Sequence, residues 1–347
     1  MSHVLRMCLL MFALYAPMVS FADSGTFDID RWYGILDGVR SRAASENISQ
    51  EMIKDTLRSP AFIPSIVKSD KNQSEFKLTL DDYLNRTVTA ARIKQGRQMR
   101  SKYPTMLSRV EKAHGVPPHV ILAFWGMESN YGAVKSRHKL TDAFLTLMYD
   151  GRRETFFTNQ LISLMKTADK NRLDINNIYG SWAGAMGHFQ FIPTTLAQYG
   201  VDGDGDGRVD IINNIGDAMF SAGNYLGKLG WDKNQRIARR VILPADFDLS
   251  LLDGKTKKTL PEWAALGVLN TDGSPIPTND MIAGLVADTS SVPGVQSTGG
   301  EIEADYDVAP APVITAYLTY PNFYRIKKWN NSNWYAIAIA DLADQIK

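Results

Sequence analysis

The chain has 347 residues, a hydrophobic share of 44%, a charged share of 22% and a net charge of +1. That length suits one large domain or two ordinary ones, and the balance excludes a disordered, fibrous or multi-spanning chain. Near-zero charge also excludes a global field drawing the chain to nucleic acid or to an anionic membrane, so a polymer must be recognised by a local groove.

Residues 1–22 read as a secretory signal. A weakly basic start with His3 and Arg6 precedes an apolar run from Met7 to Ala16, and Ser20-Phe21-Ala22 places small residues at a cleavage site before Asp23. The run is well short of the ~20 residues of a membrane span. Cys8, the only cysteine, leaves with the signal. The mature protein is then expected to be periplasmic, without disulfide or membrane anchor, and its fold must rest on a buried core.

Helical periodicity follows. Phe27, Ile29, Trp32, Ile35, Leu36 and Val39 recur at helix spacing, and a second stretch, Ser49 to Leu57, opens on a capping serine. Asp81-Asp82-Tyr83 starts a helical run reaching Lys112 with few breakers. Gly115-Val116-Pro117-Pro118 interrupts it and begins the next helix, since proline is tolerated in a first turn. From His119 to Met127 the chain is almost all apolar, and Glu128-Ser129-Asn130-Tyr131-Gly132 ends that helix. Helical patterns return at 141–149, 153–170, 191–199 and 214–230. After Trp231 short apolar runs are broken by Gly, Pro, Asp, Ser and Thr. The pattern predicts irregular chain with a few short strands over 241–320, including a loop over 286–303. Tyr335, Ile339 and Leu342 then predict a final helix packing back on the helical block. The predicted fold is mainly α (α+β). It has a helical core with N-terminal helices over 23–240, then a smaller irregular, short-strand part and closing helix over 241–347.

Three features carry candidate chemistry. Glu128 lies on the face of Ile121, Phe124 and Trp125, which points inward. A carboxyl there is desolvated, its pKa rises, and it can donate a proton near neutral pH and take one back. A helix-end glutamate satisfied by a neighbouring arginine is the alternative, and on spacing alone the more common one. The second feature, Asp202-Gly203-Asp204-Gly205-Asp206-Gly207-Arg208, matches an EF-hand loop. Asp202, Asp204 and Asp206 supply oxygens at positions one, three and five, and Arg208 its carbonyl at seven. Asp210 is at nine, but position twelve is Asn213 instead of a bidentate Glu. The pattern predicts a structural calcium site of reduced affinity, and the lack of a second copy argues against a regulatory pair. The third feature is Tyr179 to Phe191, where small residues alternate with aromatics. It suits a sugar-binding surface and a tightly packed loop equally well.

Other chemistries lack their motifs. There is no His-Glu-x-x-His, and His114, His119, His138 and His188 show no zinc spacing. The Gly-rich stretch lacks the Lys-Ser/Thr of a phosphate loop, and no Gly-x-Ser-x-Gly elbow occurs. Arg152-Arg153 suits an anion clamp or, more commonly, a solvated helix start.

Together the motifs resemble the lytic murein transglycosylase B family. They are Gly115-Val116-Pro117-Pro118, Trp125-Gly126-Met127-Glu128-Ser129-Asn130-Tyr131-Gly132, Arg152-Arg153, Gly180-Ser181-Trp182-Ala183-Gly184-Ala185-Met186-Gly187 and Gln190-Phe191-Ile192-Pro193. The Asp/Gly loop, Asn224-Tyr225-Leu226 and Trp329-Asn330-Asn331-Ser332-Asn333-Trp334-Tyr335-Ala336 complete the set. The resemblance spans about residues 27–347, is most specific over 110–232 and weakest over 241–310. It implies a lysozyme-like fold acting on peptidoglycan glycan strands, with Glu128 as the single acid/base. Ser181 and Gln190 would contact the muramic acid beside the cut bond. Arg152 and Arg153 would bind polar or peptide groups, and Tyr225 and Asn330 would line the groove. Trp329 replaces the family's tyrosine, which implies stacking without a hydroxyl contact. Asn213 replaces the usual acid of the calcium loop. Other cell-wall enzymes are candidate partners. Two alternatives stay open on the sequence: a two-carboxylate muramidase using Asp142 or Glu154, and a non-catalytic peptidoglycan-binding protein.

Overall fold

The computed structural model describes residues 27–72, 78–288 and 314–347. The signal expected over 1–22 lies outside them. Three helices open the chain: α1 (Ile29–Ser45), α2 (Gln50–Thr56) and α3 (Pro64–Lys71). Ser49 caps α2 as its position predicts, its Oγ accepting from Met52 N at 3.1 Å. The run expected from Asp81 to Lys112 divides into α4 (Leu80–Thr87), α5 (Ala90–Lys102) and α6 (Pro104–His114). Thr89 restarts the chain by capping Arg92 N, and Pro104 begins α6 because it has no N–H to continue α5. The apolar α7 (Pro118–Ser129) follows.

A two-residue strand, β1 (His138–Lys139), leads into α8 (Leu140–Asp150) and α9 (Glu154–Asn171). Then β2 (Tyr179–Gly180) pairs antiparallel with β1 and precedes α10 (Pro193–Tyr199) and α11 (Ile215–Lys228). These helices share one buried apolar cluster running from Trp32 to Ile346.

Residues 238–288 and 314–320 are more regular than their composition predicts. They form β3 (Ala238–Leu243), β4 (Lys258–Thr259), α12 (Leu260–Ala265), β5 (Leu269–Asn270), β6 (Ile282–Ala287) and β7 (Ile314–Thr319). The strands make one antiparallel sheet in the order β4-β6-β7-β3-β5. Along β7, Ala316 and Leu318 join a second apolar cluster around Trp263, while Tyr317 between them joins the helical cluster. Both faces are buried, so the strand reads as a short apolar run without the alternation of a half-exposed strand. Val286 and Ala287 end β6. The rest of the loop expected over 286–303 lies outside the described residues, Asp288 apart.

Two helices then return to the helical core: α13 (Pro321–Trp329) and α14 (Asn333–Ile346). The closing helix behaves as its spacing predicts. It is buried along nearly its whole length and packs against α7, with alanines at 336, 340 and 343 permitting close approach. Arg97 donates from Nε and Nη2 to the Gln345 carbonyl at 3.0 and 2.7 Å, satisfying a helix-end acceptor. Replacing Ile339, fully buried on α14, by alanine is expected to cost about 2–5 kcal/mol in urea denaturation. The exposed Ile282→Ala is expected to stay within about 0.5 kcal/mol of wild type.

Candidate active site

The site is built at the end of α7. Asn130 and Tyr131 adopt left-handed backbone (φ +47° and +57°), which stops the helix one turn beyond Trp125. The terminus is fastened to the 181–191 loop. Ser129 Oγ donates to the His188 carbonyl at 2.7 Å and accepts from Gly132 N at 3.0 Å. Trp125 Nε1 donates to His188 Nδ1 at 3.1 Å. Burial lowers the His188 pKa, which suits its role as a neutral acceptor.

Glu128 occupies the last turn. Its Oε1 accepts from Tyr335 Oη at 2.5 Å and from Trp329 Nε1 at 2.9 Å. The residue keeps part of its surface, but the carboxyl itself is enclosed by protein, and that enclosure governs its titration. Burial raises its pKa to about 7, and the bonds from Tyr335 and Trp329 hold it back from rising further. Because Oε1 already accepts two donors, the acidic hydrogen belongs on Oε2. Tyr83 on α4 completes the surroundings. Burial raises its phenol pKa, then the Glu128 charge, against the pull of Arg92. Sequence reasoning assigned Tyr83 and Tyr335 no part in the chemistry. The tail's helical spacing marked Tyr335 as inward-facing, but nothing local names its partner 207 positions away.

An aromatic wall extends from this carboxyl. Trp329 stacks on Tyr225 (centroids 5.0 Å, planes 30° apart), and Tyr225 stacks on Tyr199 at 4.3 Å. Phe191 meets Trp329 edge-on at 5.2 Å, and Phe124 lies 4.7 Å from it. The expectation that Trp329 offers stacking alone is therefore corrected: its indole N–H supplies a hydrogen bond to Glu128. Asn330, next in the chain, is exposed, and its N–H closes α13 on the Ile326 carbonyl.

The 179–191 loop owes its small residues to packing. A Cβ on Gly184 (φ +95°) would lie 2.3 Å from the Phe144 ring, and one on Gly180 would lie 2.4 Å from Leu140. Ser181 Oγ accepts from Ala185 N at 3.0 Å, which leaves its own hydrogen for another acceptor. Gln190 sits at φ +49° with Nε2 donating to the Gly187 carbonyl at 2.9 Å, one residue before Phe191 in the wall. Arg152 and Arg153 both pair with Asp70 of α3, and Arg152 also with Asp150 at 3.1 Å. Among the described residues neither arginine makes a hydrogen bond or ion pair to Glu128, Trp329 or Gln190.

The Asp/Gly loop closes on a carboxylate that the motif does not contain. Ligand oxygens of Asp202, Asp204 and Asp217 lie within 4.8 Å of one another. Asp217, fully buried in the first turn of α11, accepts from Gly203 N and Asp210 N at 2.8 and 2.7 Å. Two of the predicted ligands point elsewhere. Asp206 accepts from Arg208 N at 2.8 Å and stands outside the trio, and Asn213 Nδ2 donates to Asp210 at 2.9 Å.

With this geometry in place, comparison with known proteins decides the family. The model of the transglycosylase SLT domain matches residues 32–344. The chain belongs to this family. A curated relative of the SLT chain is membrane-bound lytic murein transglycosylase B of Escherichia coli (strain K12), 29% identical over 270 residues. That match covers 76% of this chain and 66% of the relative, so the chain spans just under two thirds of its length. SltB3 of Pseudomonas aeruginosa, solved with NAG-anhNAM-pentapeptide, is 33% identical with a TM-score of 0.81, covering 91% of this chain and 79% of that one. The Escherichia coli lytic transglycosylase Slt35, solved with calcium, is 25% identical with a TM-score of 0.72, covering 91% and 92%. The SLT fold is the lysozyme-like one, mainly helical with a small sheet, as the sequence motifs implied.

The titration of Glu128 has a stability consequence. Its pKa is about 7 folded against about 4.5 unfolded, so the folded state holds the proton more tightly. Stability contributed by that proton is full below pH 4.5 and is lost as pH rises through 7, by about 3 kcal/mol. Glu128→Gln removes the ionisation, and its amide oxygen can still accept from Tyr335 and Trp329. The variant is expected to exceed wild type in denaturation at pH 8 by up to that amount, and to match it at pH 4.

Proposed function

We propose that this chain is an exported lytic transglycosylase that cuts peptidoglycan between N-acetylmuramic acid and N-acetylglucosamine without using water. The observation that carries the reading is the enclosed Glu128 carboxyl, half-protonated near neutral pH and fixed through one oxygen by Tyr335 and Trp329. Oε2–H would protonate the glycosidic oxygen as the C1–O bond breaks, and the acetamido group of the muramic acid would stabilise the charge at C1. The Glu128 carboxylate would then take the proton from the C6 hydroxyl as O6 bonds to C1. The proton returns to the enzyme, and the product end is a 1,6-anhydro ring. Apolar walls serve twice, by keeping the acid protonated and by limiting competing water. Tyr225, Trp329, Ser181 and Gln190 would hold the sugars. Asn330 would sit at the rim, and Arg152 and Arg153 would meet polar or peptide groups from their place beside Asp70.

The groups acting on Glu128 favour one acid over two. Its pKa is set by burial, Tyr335 and Trp329, with no second carboxylate among the causes. Asp142 is committed to accepting from Ala61 N at 3.1 Å, and Glu154 is exposed at the start of α9. The names of the relatives point the same way: they are lytic transglycosylases, and SltB3 was solved with glycan-peptide fragments. Export rests on the signal read over 1–22. Among the described residues no helix is long and apolar enough to cross a membrane.

Digestion of purified sacculi tests the reaction. The expected products carry 1,6-anhydromuramyl ends by mass and lack new ends that borohydride labels, whereas labelled reducing ends would establish a hydrolase. Glu128→Gln is expected to lower the rate by about 10²–10⁴-fold, and equal clearing by wild type and variant would leave a binding protein.

We further propose that Asp202, Asp204 and Asp217 hold a structural calcium ion. The three carboxylate oxygens form the hard, anionic donor set that calcium takes, and Slt35 was solved with calcium. Adding calcium is expected to raise the melting temperature of wild type by several degrees and to leave Asp204→Ala unchanged. A flat wild-type response would end this assignment.

A further inference from the structure

Tyr199 ends α10 and forms the rung of the aromatic wall farthest from Glu128. Its ring makes the shortest centroid contact among the described residues, 4.3 Å from Tyr225 with the planes 26° apart. Tyr225 also stacks on Trp329, at 5.0 Å and 30°. Two rings stacked on one face of a phenol would touch each other, and among the described ring contacts Tyr199 and Trp329 form none. They therefore occupy opposite faces of Tyr225. Tyr225 is the filling of a sandwich, with an edge to offer a sugar but no open ring face.

The outer rung is placed by α11. Asp217 Oδ1 accepts from Gly203 N at 2.8 Å, Ser221 Oγ accepts from Val201 N at 2.9 Å, and Asn224 Nδ2 donates to the Tyr199 carbonyl at 2.9 Å. Positions 217, 221 and 224 share one face of the helix. The chain from Tyr199 to Gly203 thus hangs along α11 at three points, which delivers the Tyr199 ring to Tyr225, the residue after Asn224. Among the described residues the Tyr199 phenol forms no hydrogen bond, so the side chain works there as a flat ring. On the inner side of the sandwich, Tyr225 Oη donates to the Lys328 carbonyl at 3.1 Å while its ring meets Trp329. Trp329 Nε1 in turn donates to Glu128 Oε1 at 2.9 Å. That bond depends on direction, and an indole whose backing ring can slide loses it steeply.

We propose that Tyr199 is a positioning residue: it backs Tyr225, which keeps the Trp329 indole N–H aligned on the Glu128 carboxyl. The action needs the ring and not the hydroxyl. Its effect on rate rests on the acid/base reading of Glu128, whereas its effect on the hydrogen bond does not. Releasing Tyr199 loosens a donor to the Glu128 anion, so the carboxyl keeps its proton to higher pH.

Tyr199→Leu and Tyr199→Phe test this in the full chain, with Asn224→Ala, which frees the Tyr199 carbonyl, as a second route to the same displacement. The Glu128 carboxyl is followed by carbon NMR, assigned by its loss in Glu128→Gln, and the Trp329 indole N–H by its loss in Trp329→Phe. In Tyr199→Leu the indole resonance is expected to move and the Glu128 midpoint to rise by about 0.5 pH unit, the size of one weakened hydrogen bond of ordinary strength. On soluble glycan strands kcat is expected to fall about three- to tenfold with KM held, and the alkaline limb of kcat/KM to rise with the midpoint. Tyr199→Phe is expected to restore every value, and Asn224→Ala to follow Tyr199→Leu. An unchanged midpoint and indole resonance in Tyr199→Leu, or in Asn224→Ala should the first not fold, overturn the proposal. So does a Tyr199→Phe that behaves as Tyr199→Leu, or a KM that rises while the pH limb stays fixed, either of which makes Tyr199 a direct contact of the glycan. Both resonances are read without turnover, so loss of the glycan-cutting reading leaves this result standing.

Discussion

A single carboxylate oxygen organises this molecule. Glu128 Oε1 receives two hydrogen bonds, and both donors, Trp329 and Tyr335, lie more than 200 residues downstream. The arrangement reconciles opposing demands. Enclosure alone pushes a carboxyl toward permanent protonation, whereas open solvent leaves it permanently ionised. Two donors on one oxygen stabilise the anion enough to hold the pKa at about 7, so the same group can give a proton and recover it.

The rest of the fold delivers those donors. The sheet inserted between α11 and α13 is joined to the helical core through Tyr317, Val286 and Ala238, and β7 runs almost directly into Pro321 and α13. Trp329 ends α13, Ser332 caps α14 through Tyr335 N, and Tyr335 enters the first turn already aimed at α7. Burial of α14 against α7 then fixes the distance. The glycines of the 180–187 loop act on the other flank. By packing flush on Leu140 and Phe144 they let Phe191 reach the Trp329 ring.

The helical block was legible because its signals are local. Caps such as Ser49, the proline start of α7 and the tail spacing of Tyr335, Ile339 and Leu342 each act within a few residues. Glu128 was legible as a candidate for the same reason, since the apolar face of α7 surrounds it. The sheet was hidden because strands buried on both faces lose their alternation, and Ala316-Tyr317-Leu318 divides its side chains between two cores. The donors to Glu128 were hidden because their pairing is tertiary. Asp217 escaped the loop motif for a related reason: the twelve-residue pattern looks for its last ligand at Asn213, while the chain supplies a carboxylate one helical turn later, from inside α11.

That displacement ties the loop to the aromatic wall. Asp217 in the first turn of α11 and Tyr225 in its last are eight positions apart, about 12 Å along one rigid helix. Asp217 anchors the helix start through the amides of Gly203 and Asp210, and Tyr225 anchors its end by donating to the Lys328 carbonyl at 3.1 Å. The Lys328 carbonyl belongs to the residue before Trp329. A loop that held α11 loosely would shift Tyr225, and with it the ring on which Trp329 stacks while bonding Glu128. A cation among Asp202, Asp204 and Asp217 would relieve the repulsion of three close carboxylates. Its structural effect would then reach the Glu128 carboxyl through one helix and one stacked pair.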